Sequence, residues 1–287
     1  MIHLFLSILS SAGIFLLFKL FDRFKVNNLQ AIVVNYFAAC ATGLILYKNP
    51  INIGVVINEP WFFGAFILGF LFIAVFMIMA LTAQKNGLSV ASVAGKMSVI
   101  IPVVFGLIVY SESINIQKSI GIILALFAVY YTANKSKKSP INSSSFKLPV
   151  LLFLGTGIID TTIKYLETTQ VKPNDIPIFS STIFLFAGCI GITILGYKII
   201  TKKTVWQWKS LIAGLFLGTI NYFSVFYLLK ALNHKDLESS TIFTINNVAV
   251  VMITTLIGVA LFKERLTQKN WIGIILAILS IVLVTLA

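Results

Sequence analysis

Three ionisable side chains stand inside long apolar runs of this sequence, and any chemistry starts with them. Lys96 lies in SVASVAGKMSVIIPVVFGLIVYSE (residues 89–112) and is the one charge between Lys85 and Glu112. Asp160 and Lys164 lie in GIIDTTIKYLE (residues 157–167). An ionisable group in hydrocarbon costs roughly 2.5–3.5 kcal/mol or more, so it faces a cavity, a partner or the interface. For Lys96 there are two readings. Either it stays charged beside a carboxylate or an anionic solute group, or releases its proton in a working cycle, or else its stem snorkels to the interface. The first makes Lys96 a binding residue, with Asp160 as the nearest buried counter-charge. On helices entering from the same side the two lie at depths about 9 Å apart at 1.5 Å per residue, a gap that a lysine stem plus water or solute can bridge. The local alternative pairs Asp160 with Lys164, i and i+4 on one helix face.

Uncharged polar residues extend the candidate site. Asn221 and Tyr222 fall in the middle of the apolar run 209–231, and Asn246 and Asn247 of TINNVAV fall in 239–262. Adjacent side chains on a helix point about 100° apart, so one of Asn246 and Asn247 faces any given cavity. The other reading for each is interhelical hydrogen bonding. Ala91, Gly95 and Ser98 recur at spacings of four and three, a face that lets their helix approach a neighbour closely. Nothing points to a metal, a cofactor or a catalytic centre. Cys40 and Cys189 sit in apolar runs as small hydrophobes. His3 and His234 are far apart, no His/Cys/acid group has ligand spacing, and no nucleophile–base pair stands near an interface.

The elements that must position these residues follow from composition. Of 287 residues, 58% are hydrophobic and 11% charged, against about a quarter charged in a soluble domain. That identifies an all-α integral membrane protein whose partner is the lipid bilayer. The net charge of +13 sits in short lysine clusters between apolar runs, where it sets topology and meets headgroups; no basic helix of a nucleic-acid module is present. A span needs about 20 mostly apolar residues. Ten candidates occur: 3–21, 30–47, 61–83, 89–110, 116–134, 148–166, 176–199, 209–231, 239–262 and 268–286. The first lacks a basic leader and a clear cleavage site, so it reads as a retained span.

The ten spans form two halves. At an offset of 152 residues Glu112 lies over Glu264, Gly106 over Gly258, and GIILA (121–125) over GIILA (273–277). Earlier the offset is about 145, with Lys19 over Lys164, Asp22 over Glu167 and Gly43 over Gly188. The halves are residues 1–134 and 148–287, joined by the polar, basic linker 135–147. Five spans is an odd number, so the second copy enters from the opposite side. That makes two inverted-topology repeats of five, the construction of many secondary transporters, with a solute site near the midplane. The repeat equivalence of Glu112 and Glu264 points to a structural task, accepting N–H groups that open the following helix, where the dipole favours a carboxylate; proton coupling is the other reading.

VYSESINIQKSIGIILAL and LFKERLTQKNWIGIILAI, each an apolar run, a glutamate, a short turn and IGIILA, resemble the drug/metabolite transporter superfamily of EamA type. IIP at 100–102 resembles the proline usual in its fourth span. The resemblance implies a ten-span permease of the cell (inner) membrane, moving a small metabolite or drug-like solute by alternating access. Its cavity would be lined by spans 1, 3, 4, 6, 8 and 9, and its second span would be peripheral, so that Asn35 and Tyr36 there serve as interhelical glue. Lipid-linked substrates also occur in this superfamily, so a flippase of the same fold is the alternative, with a membrane-embedded enzyme as the rival class. Monomer and homodimer are both compatible with the sequence. Orientation has two indicators. Fifteen of the 22 Lys and Arg follow spans 1, 3, 5, 7 and 9, five lie on the other side, and Lys96 and Lys164 stay within spans. The positive-inside rule then places both termini outside, whereas the resemblance implies both inside.

Overall fold

The computed structural model describes residues 2–47, 53–109, 116–133, 144–172, 175–232 and 239–286. Among them every regular element is an α-helix: α1 (Ile2–Arg23), α2 (Asn28–Leu46), the short α3 (Ile53–Ile57), α4 (Phe62–Lys85), α5 (Leu88–Met97), α6 (Ile100–Val109), α7 (Ile116–Ala133), α8 (Ser144–Thr169), α9 (Ile176–Ile200), α10 (Trp208–Leu232), α11 (Ser239–Phe262) and α12 (Gln268–Thr285). Seven of them, α1, α2, α4, α8, α9, α10 and α11, are long and apolar enough to cross a membrane. Their outward faces are apolar too. Only 33% of the most apolar stretch of α4 is buried within the protein, and Phe63, Phe66, Ile67 and Phe70 are exposed. Those side chains need acyl chains for a solvent.

The remaining predicted spans, 89–110, 116–134 and 268–286, fall on shorter apolar helices. The first is divided, and Pro102 supplies the reason. Proline has no N–H for the carbonyl four residues back and its ring clashes with that carbonyl. The carbonyl concerned, Ser98, instead accepts Ile101 N–H at 2.9 Å, and the chain turns at Ser98–Val99 between α5 and α6. Ser98 Oγ donates to Gly95 O at 2.6 Å, satisfying one carbonyl that the break releases. At its start, α8 takes in residues 144–147 of the predicted linker; residues 135–143 lie outside the described residues, as do Glu112 and His234.

Helices are grouped in two compact units, and each unit draws on both halves of the sequence. Unit 1 comprises Met1–Leu20, Ile78–Ile158 and Phe223–Ala287. Its core gathers Val93, Met97, Ile100, Ala125, Ala128, Val129, Phe153, Val251, Ile274, Ala277 and Ile281. Within it α7 and α12 lie antiparallel: Gln117 Nε2 donates to Leu283 O (3.2 Å), Ser280 Oγ to Gly121 O (2.7 Å) and Asn270 Nδ2 to Thr132 O (2.8 Å). A Cβ on Gly273 would stand 2.7 Å from Thr132 N and 2.9 Å from Ala128 O, so the backbones touch there. Asn270 also closes a capping box with Thr267 at the start of α12.

Unit 2 comprises Phe21–Met77 and Ile159–Tyr222. Here α2 and α9 lie antiparallel, Gly43 against Ser181, Gly188 against the Phe37 ring and Gly191 against Val33. Tyr36, fully buried, stacks on Phe184 and donates its hydroxyl to Phe72 O at 2.7 Å. On its other side α2 receives α10. Gly214 and Gly218, in GLFLG, sit where a Cβ would come within 2.5 Å of Ala31 O and Asn35 O. Small residues four apart let two membrane helices meet backbone to backbone.

Candidate functional site

Lys96 stands in the last turn of α5, one residue before Met97, which closes the helix. A cation there complements the negative end of the helix dipole. Lys96 is partly buried, and its neighbour Met97 is fully buried in the unit 1 core. A Cβ on Gly95 would meet the Phe15 ring of α1 at 3.6 Å, an ordinary van der Waals distance. The close approach expected of the Ala91–Gly95–Ser98 face is therefore absent at Gly95. Among the described residues, close approaches to a neighbouring backbone occur instead at Gly69, Gly214, Gly218 and Gly273.

Asn246 and Asn247 belong to a buried polar seam of unit 1. Ser7 Oγ on α1 lies 3.2 Å from Asn246 Oδ1 and 3.0 Å from Ser224 O on α10, its one proton serving either acceptor. Asn246 Nδ2 lies 3.5 Å from Asn247 Oδ1. Two turns along α11, Thr254 Oγ1 donates to Ser92 Oγ of α5 at 2.7 Å. Near the start of α1, His3 stacks on Tyr227 with centroids 6.0 Å apart, and Tyr227 on Phe223 at 5.5 Å. Ser7, Ser92 and Thr254 escape sequence reading because a hydroxyl costs little in a helix and marks no face.

Asn221 and Tyr222 belong to unit 2. Asn221 Nδ2 donates to Asn35 Oδ1 at 3.3 Å, tying α10 to α2, and the Tyr222 ring lies close to Gly43. The Asn35 reading as interhelical glue holds, and Asn221 is its partner. Asp160 is partly buried and Lys164 exposed, both on the part of α8 within unit 2. The six candidates thus divide, Lys96, Asn246 and Asn247 in unit 1 and Asp160, Asn221 and Tyr222 in unit 2.

The structure corrects one expectation, at Glu264. Glu264 does not cap the helix that follows it. Its carboxylate accepts Leu88 N–H at 2.9 and 3.2 Å, opening α5, a helix 176 residues earlier; Thr267 caps α12. Lys19 pairs with Glu264. Its ammonium lies 3.2 Å from Glu264 Oε1 and donates to Ala83 O (3.2 Å) and, more weakly, Gln84 O (3.4 Å) at the end of α4. Gln84 Nε2 returns a bond to Phe18 O at 2.9 Å. Room for the carboxylate comes from two glycines. A Cβ would stand 2.8 Å from Glu264 Oε2 at Gly87 and 2.6 Å at Gly258, and Gly87 has φ 107°, a conformation open to glycine. One ion pair therefore joins α1, α4, α5 and the end of α11.

Among the described residues no three His, Cys, Asp or Glu side chains gather closely enough to hold a metal ion. Comparison with known proteins agrees with the fold. A Haemophilus influenzae protein described as uncharacterized is 26% identical over 288 residues, covering 97% of this chain and 96% of that one. A solved crystal structure superposes with a TM-score of 0.60 at 14% identity, over 99% of this chain and 96% of that chain; it shares the fold. The second half of the chain, residues 145–286, matches the EamA-like transporter family. The protein is a membrane protein, and its residues 145–286 are similar to the EamA-like transporter family.

Proposed function

We propose that this protein is a secondary transporter of the cell membrane, with ten spans in two inverted repeats of five, moving a small solute by alternating access about a midplane cavity. One observation carries the reading: helices equivalent in sequence cross each other at equivalent residues. Gly121 meets Ser280 and Gly273 meets Ala128; at the offset of 152, each contact is the other with its partners exchanged. In unit 2, Gly43 meets Ser181 and Gly188 meets Phe37, and an offset of 144–145 exchanges these in the same way. Both crossings are antiparallel. A pseudo-two-fold axis in the membrane plane, relating repeats of opposite topology, produces this reciprocity.

In this reading Lys96, at the break between α5 and α6, supplies the cation of the cavity, with Asp160 as counter-charge. Asn221, Tyr222, Asn246 and Asn247 supply hydrogen bonds to the solute. Broken helices in transporters are where backbone and side-chain groups turn towards cargo. The working role is that of a carrier, not an enzyme.

The test begins with thermal unfolding of the purified protein against metabolite classes. A ligand at 100-fold its Kd stabilises by about 2.7 kcal/mol, so weak binders register at millimolar dose. Hits are then assayed for uptake and counterflow in proteoliposomes. Counterflow of an unchanged solute is expected. A ligand that is chemically converted without crossing the membrane overturns the proposal.

A further inference from the structure

We propose that the paired segments Phe21–Gln30 and Tyr197–Ser210 of unit 2 form a binding surface for anionic phospholipid headgroups. The two segments are stapled into one surface by their own polar side chains. Gln30, with no exposure, spends its amide in both directions, donating to Val205 O at 2.7 Å and accepting Gln207 N–H at 2.9 Å. Asn27 N–H donates to Ser210 Oγ and Asn27 Nδ2 to Thr204 Oγ1, each at 3.0 Å. Lys209 Nζ donates to Phe24 O at 3.0 Å. The buried Gln30 amide and the partly buried Asn27 amide thus hold the turn after α1 against the loop before α10.

Charge on this surface is one-sided. The segments carry Arg23, Lys25, Lys198, Lys202, Lys203 and Lys209 against one acid, Asp22. All six cations but the partly buried Lys198 are exposed. Around them stand amphipathic rings. Trp208 is 73% exposed and meets Trp206 edge to face at 6.2 Å, and Lys203 Nζ lies 5.6 Å from the centroid of the exposed Tyr197 ring. Tryptophan, tyrosine and lysine together at helix ends mark the depth of the headgroups. Exposed Ile200, Val205 and Phe24 adjoin them and extend the surface into acyl chains. A soluble polyanion would satisfy the cations and leave these apolar groups in water. A zwitterionic headgroup brings its own cation next to its phosphate. A headgroup of net negative charge satisfies both features through charge-assisted hydrogen bonds to phosphate.

The full-length protein, extracted from vesicles of equal phosphatidylglycerol and phosphatidylcholine, is examined by native mass spectrometry for retained lipid. The wild type is expected to retain phosphatidylglycerol roughly tenfold or more over phosphatidylcholine. Combined Lys202→Gln, Lys203→Gln and Lys209→Gln abolishes the preference. Combined Lys85→Gln, Lys263→Gln and Lys269→Gln, which removes the same charge from unit 1, leaves it intact. Raising ionic strength erodes the wild-type preference, a readout that holds even if the first variant does not fold. A wild type without preference, equal loss in both variants, a salt-independent preference, or retention of inorganic phosphate in place of lipid overturns the proposal.

Discussion

At the scale of the residue, Lys96 and Glu264 illustrate two ways of keeping a charge among apolar helices. Lys96 is held at a helix end beside the break between α5 and α6. Lys96→Met keeps the stem and removes the charge. Transport is expected to fall to background while the unfolding midpoint stays level or rises, and Lys96→Arg is a poor substitute because its planar fork differs from an ammonium. Normal uptake by Lys96→Met would move the solute site to Asn221, Tyr222, Asn246 and Asn247. Glu264 is satisfied by Lys19 and by Leu88 N–H. Glu264→Gln retains an acceptor for the amide and loses the ion pair, so a stability loss of about 1–3 kcal/mol is expected. Lys19→Met should share most of that loss, and a double-mutant cycle showing no coupling between the two would contradict the geometry. Charged and amide side chains in apolar runs were legible as candidates because hydrocarbon makes them conspicuous. The Glu264–Leu88 bond was not, because it joins residues 176 apart through a crossing that no local pattern encodes.

At the scale of the element, close helix crossings rest on missing side chains. Gly273→Leu must push Cβ into the backbone of Thr132. Overpacking of this kind costs typically 1–3 kcal/mol, and the variant should lose its unfolding midpoint accordingly. Gly196→Leu, with nothing within 4 Å of its Cβ, is expected to change stability by less than about 0.5 kcal/mol. Equal effects would mean that the α7–α12 contact is not tight. Helix existence was largely legible: nine predicted spans each fall on one apolar helix, seven of them long enough to cross a membrane, and 89–110 falls on two. The division of span 89–110 was written in Pro102, yet hydropathy alone hides it because apolarity continues across the break. The GLFLG approach of α10 to α2 was legible only in its small residues; which neighbour they admit depends on the fold.

At the scale of the whole molecule, orientation is the open test. The lysine and arginine distribution favours a cytoplasmic 135–147 linker with both termini outside. A cysteine replacing Ser143 in intact cells should stay unlabelled by a membrane-impermeant thiol reagent; labelling there reverses the orientation. The reciprocal crossings also carry a consequence for biosynthesis. The α12 partner of α7 is translated about 150 residues after it, and the α9 partner of α2 follows a similar distance behind. At 5–20 residues per second, α7 waits roughly 8–30 s for its mate to leave the ribosome. During that interval its glycine and alanine face has only lipid to pack against, and the carbonyl of Thr132 awaits Asn270. Neither unit can close before the second half arrives, because each draws helices from both. Premature termination before α12 should therefore yield a chain that is inserted yet short-lived, a substrate for membrane proteases rather than a smaller carrier.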